Sequence, residues 1–260
     1  MKTSFLIVAF FVCGTLALQA DPLTESTFTE VVKDVNVVAP ATKAAEPASV
    51  NEVVKAPELV RTGPDSRAEL TAPDETITRI GANTVFSFEP SGRNIDLERG
   101  NVLFHSPAGK GGGTIRSGGA AAAVLGTTLI VSSTGTGGFK VILLEGKGTV
   151  TLANGHSVTL TAGQLVFVLP GQTDFGQVLE INLGKLVAGS ILVKGFSAPL
   201  PSLSLIQGAI NHQNQQFGNG KVDTGVSPEN YIQDPGNNGL NTIDNNTYHN
   251  VVSKIRTGAG

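Results

Sequence analysis

The chain is 260 residues long and mildly acidic, with net charge −3 at pH 7, 32 glycines and no tryptophan. It has no Lys/Arg cluster, which excludes the electrostatic footprint of a nucleic-acid-binding protein. Its one cysteine, Cys13, excludes a disulfide framework and a thiolate metal site, while frequent Gly, Val, Thr, Leu and Ile point to a turn-rich β protein.

Residues 1–20 read as a secretory signal peptide: Lys2 opens it, Phe5 to Leu18 is apolar, and Ala20 is a small residue before a cleavage point at Asp21. The apolar run is shorter than the ~20 residues of a membrane span. An uncleaved N-terminal anchor shares this pattern and is the alternative. Lipid attachment at Cys13 is rejected, because Phe11 and Val12 precede it where a small residue is needed. Cys13 leaves with the signal, and a disulfide-free exported chain suits a periplasmic or secreted bacterial protein. No later segment is apolar enough for a stable membrane span after cleavage.

Residues 21–49 read as an N-terminal strand and linker. Ser26 to Val38 carries five valines with partial alternation, and Ala39 to Glu46 is an Ala/Pro/Lys-rich exposed loop. Residues 50–171 form a β domain. Strands are expected at Ala68–Ala72, Thr76–Ile80, Val85–Phe88, Asn94–Leu97, Val102–His105, Thr114–Ser117, Leu129–Ser132, Phe139–Leu144, Thr149–Leu152, Ser157–Thr161 and Leu165–Leu169. Their spacing of roughly 8–12 residues marks an all-β sandwich, barrel or roll. Turns are expected at Gly63–Ser66, Ala72–Glu75, Ser91–Asn94, Glu98–Asn101 and Glu145–Gly148. Asn154-Gly155 predicts a hairpin between Thr149–Leu152 and Val158–Leu160. Val141 to Leu144 is continuously apolar and suits a central strand buried on both faces. Ala120 to Leu125 reads as a small-residue strand between glycines.

Residues 172–216 form a short helical extension. Leu183, Leu186 and Val187 lie at helical spacing in one short helix within Leu179–Val193. Pro199 to Ser202 breaks the chain, and Ser202 is an N-cap for a second helix with stripe Leu203, Ile206 and Ile210. Residues 217–260 are Asn/Gly-rich with few apolar side chains and read as a disordered tail.

No reaction centre assembles from the sequence, so no residue is assigned a catalytic, cofactor-binding or metal role. His105, His156, His212 and His249 are far apart, without a second ligand at i+2 to i+4. Gly109 to Thr114 lacks the upstream Gly and following Ser/Thr of a phosphate loop. Asp234 to Gly239 lacks calcium-loop ligands, with Asn245 at position 12. No Gly-x-Ser-x-Gly elbow occurs. Glu69, Asp74, Glu98 and Glu145 read as turn and strand-edge carboxylates that pair Arg67, Arg79, Arg99 or Lys147. Arg79 shares strand parity with Ile77 and points partly inward, where pairing with Asp74 would pin a turn. Tyr231 and Tyr248 fall in the tail, which leaves no aromatic platform for sugars.

The ordered set Arg61–Leu70 (RTGPDSRAEL), Pro73–Thr84 (PDETITRIGANT), Ile95–Phe104 (IDLERGNVLF), Val124–Val131 (VLGTTLIV), Val141–Val150 (VILLEGKGTV) and Leu160–Gln164 (LTAGQ) resembles the FecR-type periplasmic domain. The resemblance covers about Val50 to Gly171. Asp74-Glu75-Thr76 departs from the family's Asp-Gly-Thr turn, and Leu129 stands where the family has Phe. The resemblance implies an all-β fold of short, mainly antiparallel strands in a sandwich or roll. It also implies an exported, non-catalytic interaction or sensory module that needs no cofactor and meets another envelope protein. The anti-sigma segment and transmembrane helix of regulatory members have no counterpart here. A structural envelope or extracellular-matrix protein is the alternative function, and a secreted hydrolase the third.

Overall fold

One long strand decides the architecture of the computed structural model, which describes residues 20–217. In chain order the strands are β1 (Glu25–Val32), β2 (Val35–Val38), β3 (Ala45–Pro47), β4 (Val53–Lys55), β5 (Leu59–Thr62), β6 (Arg67–Thr71), β7 (Ile77–Ile80), β8 (Val85–Phe88) and β9 (Asn94–Ser106). They continue as β10 (Gly113–Ser117), β11 (Ala120–Val124), β12 (Thr127–Ser133), β13 (Phe139–Glu145), β14 (Lys147–Leu152), β15 (Ser157–Thr161), β16 (Gln164–Val168) and β17 (Leu179–Glu180). Helices α1 (Leu183–Gly189), α2 (Ile191–Lys194) and α3 (Leu203–Phe217) follow.

The strands form two layers that share β9. The inner sheet runs β4-β1-β6-β7-β9-β12-β13-β16-β17. The outer sheet runs β3-β2-β5-β8-β9-β10-β11-β14-β15. Every pairing is antiparallel except β9 with β10. The fold is all-β, as the spacing of strand signals predicts.

β9 crosses between the sheets at Gly100. Up to Arg99 it pairs with β8, and from Gly100 to Ser106 it pairs with β12. Gly100 has φ 101°, and a Cβ there would run into the backbone and side chain of Thr84. The expected turn at Glu98–Asn101 is therefore a bend within one strand. Locally Arg99-Gly100-Asn101 reads as a turn, but both flanks find long-range ladder partners, so the chain bends without reversing.

Alternation along the inner sheet builds two cores. Val102, Phe104, Leu129, Val131, Val141, Leu143, Val166 and Val168 face the outer sheet and join Phe28, Phe86, Ile95 and Leu160. Leu103, Ile130, Ile142, Leu144, Leu165 and Phe167 face the other way, against Leu183, Leu186, Leu192 and Ile206 of the helices. Val141 to Leu144 is thus apolar at every position because β13 is buried on both faces. Each such side chain contributes about 1.5–3 kcal/mol on full burial.

Residues 21–49, expected as a strand and linker, are hydrogen-bonded into both sheets: β1 pairs β6, and β2 pairs β5. The stretch expected as an exposed loop at Ala39–Glu46 ends inside β3, a fully exposed edge strand. The single helix expected within Leu179–Val193 is three elements. Leu179 and Glu180 add to β16, and α1 begins after Asn182, whose carboxamide oxygen accepts from the Lys185 N–H at 3.0 Å. Ser190, extended at ψ 119°, separates α1 from α2. The helix after Ser202 forms as expected, with Ile206 in the core and Leu203 and Ile210 packed beside it. The Asn154-Gly155 hairpin joins β14 to β15, with the His156 N–H donating to Asn154 Oδ1 at 2.9 Å. The expected signal peptide (1–20) and Asn/Gly-rich tail (217–260) lie outside the described residues, apart from Ala20 and Phe217 at their boundaries.

Candidate interaction site

Charge is costly to bury unless partnered. Arg79 of β7 is fully buried on the helix side of the inner sheet. Its Nε donates to Glu69 Oε2 of β6 at 2.7 Å, and Nη1 donates to the carbonyls of Leu192 and Val193 at 3.1 and 3.0 Å. Nη2 donates to the Ala198 carbonyl, 2.5 Å away, and the guanidinium lies 4.4 Å from the Phe196 ring centroid. Arg67 Nε donates to the Gly195 carbonyl at 2.6 Å. Two arginines of one hairpin thus hold the orphan carbonyls at the end of α2. Arg79 points inward, as its parity with Ile77 predicts. Its carboxylate partner is Glu69, not Asp74, because residues 69 and 79 face each other across the ladder.

A second buried group joins β9, β12, β13 and the start of α3. Thr128 Oγ1 lies 2.9 Å from His105 Nδ1, 2.7 Å from Glu145 Oε1 and 2.8 Å from Ser202 Oγ. A threonine hydroxyl carries one proton, so it donates to one neighbour and accepts from others. Burial pushes the His105 imidazole below its ordinary value and the Glu145 carboxyl above its own. On β13, burial also pushes the Lys140 ammonium well below the ordinary lysine range. The sequence reading treats His105 as isolated and pairs Glu145 with turn cations. The structure brings His105 and Glu145 to one hydroxyl, because pairing with both β9 and β13 places Thr128 between them. Ser202 is 1% exposed and Thr128 0%, so this constellation has no mouth for a substrate. It works as a polar joint in the core.

A solvent-open cluster of charges lies elsewhere, around Arg93. Its Nε donates to the Gly112 carbonyl at 2.7 Å and its Nη1 to the Asp21 carbonyl at 2.7 Å. Its Nη2 donates to Asp74 Oδ2 at 2.6 Å and to Thr76 Oγ1 at 3.0 Å. One side chain therefore ties three segments: the N-terminal residues, the β6–β7 turn and the glycine-rich loop before β10. Between them lies a cleft of about 510 Å³, walled by Asp21, Glu25, Asp74, Arg93 and Lys110 among others. Burial pushes the Asp74 carboxyl up, but hydrogen bonds from Thr76 and Arg93 outweigh it and hold the group below its ordinary value. Of the Gly109–Thr114 stretch, Gly109 and Lys110 line the cleft. Sequence reasoning missed Arg93, which it treats only as part of the Ser91–Asn94 turn.

The turn in this wall is Asp74-Glu75-Thr76, where the chain departs from the family's Asp-Gly-Thr. The Thr76 N–H donates to Asp74 Oδ1 at 3.0 Å, and the Ala72 N–H donates to the Thr76 carbonyl at 2.9 Å. Glu75 sits at φ 70°, the left-handed region in which glycine rests without strain. The backbone form that glycine favours is kept without the glycine.

A family model described as FecR protein matches residues 58–150. Residues 58–150 are a FecR domain. The match lies inside the Val50–Gly171 stretch that carries the resemblance and includes the Asp74 turn and Arg93. No curated protein matches the chain. Two crystal structures described as a candidate anti-sigma factor from Parabacteroides distasonis ATCC 8503 are similar to it. Both are 18% identical, with TM-scores of 0.45 and 0.46, and cover 50% and 52% of this chain and 63% and 64% of their own. The chain thus spans less than two thirds of the length of those proteins. Among the described residues no helix is long and apolar enough to cross a membrane, and no three His, Cys, Asp or Glu gather to hold a metal ion.

Proposed function

We propose that the chain is an exported, non-catalytic interaction or sensory module of the bacterial envelope, and that it meets a partner protein at the Arg93 cleft. The observation that carries this reading is the place of the FecR domain's Asp74 turn. It forms one wall of a solvent-open cleft that Arg93 braces from inside. Four of the five N–H donors of Arg93 are committed to the protein's own groups, which suits a brace that fixes a surface. Lys110 stands exposed on the rim and makes no ion pair among the described residues. Regulatory proteins of the FecR type act through protein contacts, which favours a partner protein over a small substrate.

Affinity capture from bacterial envelope extract tests the reading. The purified protein is expected to retain a discrete envelope protein. Recovery of nothing above background would overturn it.

A further inference from the structure

We infer that β15 is a self-pairing edge, and that two copies of this chain join there antiparallel across a two-fold axis at Thr159. This goes beyond the cleft reading and does not depend on it.

The two sheets end in four edge strands. Natural edges are blunted by charge, proline, short length or cover. β3 is three residues long and contains Glu46 and Pro47. β4 is three residues long, and its Lys55 pairs with Glu25 at 3.8 Å. β17 is two residues long and leads directly into α1. β15 has none of these devices: it reads Ser157-Val158-Thr159-Leu160-Thr161, without charge or proline.

The ladder fixes which groups are free. The Leu152 N–H donates to the His156 carbonyl at 2.8 Å, so residues 156, 158 and 160 turn their backbone polar groups toward β14. Ser157 and Thr159 turn theirs outward. The outward Thr161 N–H is already taken by Gln164 Oε1 at 2.8 Å. What remains without a partner among the described residues is the N–H and C=O of Ser157, the N–H and C=O of Thr159, and the C=O of Thr161.

That set is self-complementary. With two copies antiparallel about Thr159, each Thr159 N–H meets the other copy's Thr159 carbonyl. Each Ser157 N–H meets the other copy's Thr161 carbonyl, and Gln164 keeps its bond. The side chains agree as well. Half-buried Val158 lies opposite Leu160 of the second copy on the core side, and hydroxyl residues meet hydroxyl residues on the exposed side. No like charges oppose each other. The shared edge also extends a hydroxyl- and methyl-rich outer face made of Ala121, Ala123, Thr149 and Thr151 beside β15.

Sedimentation of the purified full chain over a concentration series tests this, with amide hydrogen exchange at Thr159 as a second readout. A reversible dimer with a slowly exchanging Thr159 amide is expected. Thr159→Lys places like charges at the axis and is expected to weaken the dimer by about tenfold or more. Its side chain is exposed, so the monomer keeps its fold, as circular dichroism checks. Thr151→Lys, one strand inward on the same face, is expected to leave the dimer intact. A monomer throughout overturns the inference, and so does a dimer unaffected by Thr159→Lys. A monomer whose Thr159 amide is nevertheless slow also overturns it.

Discussion

Glu75 holds φ at 70° with its side chain exposed, and among the described residues that side chain makes no hydrogen bond or ion pair to offset the left-handed backbone. An L-residue in that region costs roughly 1–2 kcal/mol relative to glycine, while glycine gives back part of this through the unfolded chain. Glu75→Gly is therefore expected to stabilise the fold by about 0.5–1 kcal/mol, read as a higher urea midpoint at unchanged slope. A lower midpoint would mean that Glu75 makes a contact its exposure hides. Arg79 behaves oppositely. Removing it leaves Glu69 buried without its cation and strips the carbonyls of Leu192, Val193 and Ala198 of their donor. Arg79→Met is expected to cost about 3–5 kcal/mol in denaturant unfolding, and an unchanged midpoint would contradict the role given to it. The inward direction of Arg79 was legible from its parity with Ile77. Its partners were not, because Glu69 is ten residues away across a ladder and the carbonyls are more than a hundred residues away. Arg93 was illegible for the same reason: its acceptors come from three separate segments.

At the scale of elements, the joint of His105, Thr128, Glu145 and Ser202 makes stability depend on pH. The His105 imidazole sits below its ordinary 6.5, so its burial adds stability that is full above pH 6.5 and lost as pH falls through the folded value. Glu145 sits above its ordinary 4.5, so its contribution is full below pH 4.5 and lost as pH rises through the folded value. His105→Gln removes the first dependence. The thermal midpoint of the unaltered protein is expected to fall relative to that variant as pH drops below 6.5, and parallel curves would contradict the assignment. Strand positions were legible here because alternation and glycine punctuation are local signals. Val141 to Leu144 declared a strand buried on both faces before any neighbour was known. The division of Leu179–Val193 was not legible, since the Asn182 cap and the extended Ser190 depend on packing against the inner sheet.

At the scale of the whole molecule, β9 bends at Gly100 and serves both sheets, and the helices then cover the second face of the inner sheet. The FecR domain at 58–150 supplies the centre of each sheet. β1 to β4 and β15 to β17 complete the flanks. Order of strands could not be read from spacing, because ladders such as β1 with β6 and β7 with β9 join segments that no local pattern links. The sequence therefore told the class of fold and the identity of its central domain, while the cleft appears only when Asp21, Asp74, Arg93 and Lys110 meet. The most direct test of that cleft as the contact surface is affinity capture from envelope extract with the unaltered protein and Lys110→Glu side by side. Lys110 is exposed and makes no ion pair among the described residues, so the variant is expected to fold normally and to lose most of the captured protein. Equal capture by both would contradict the account.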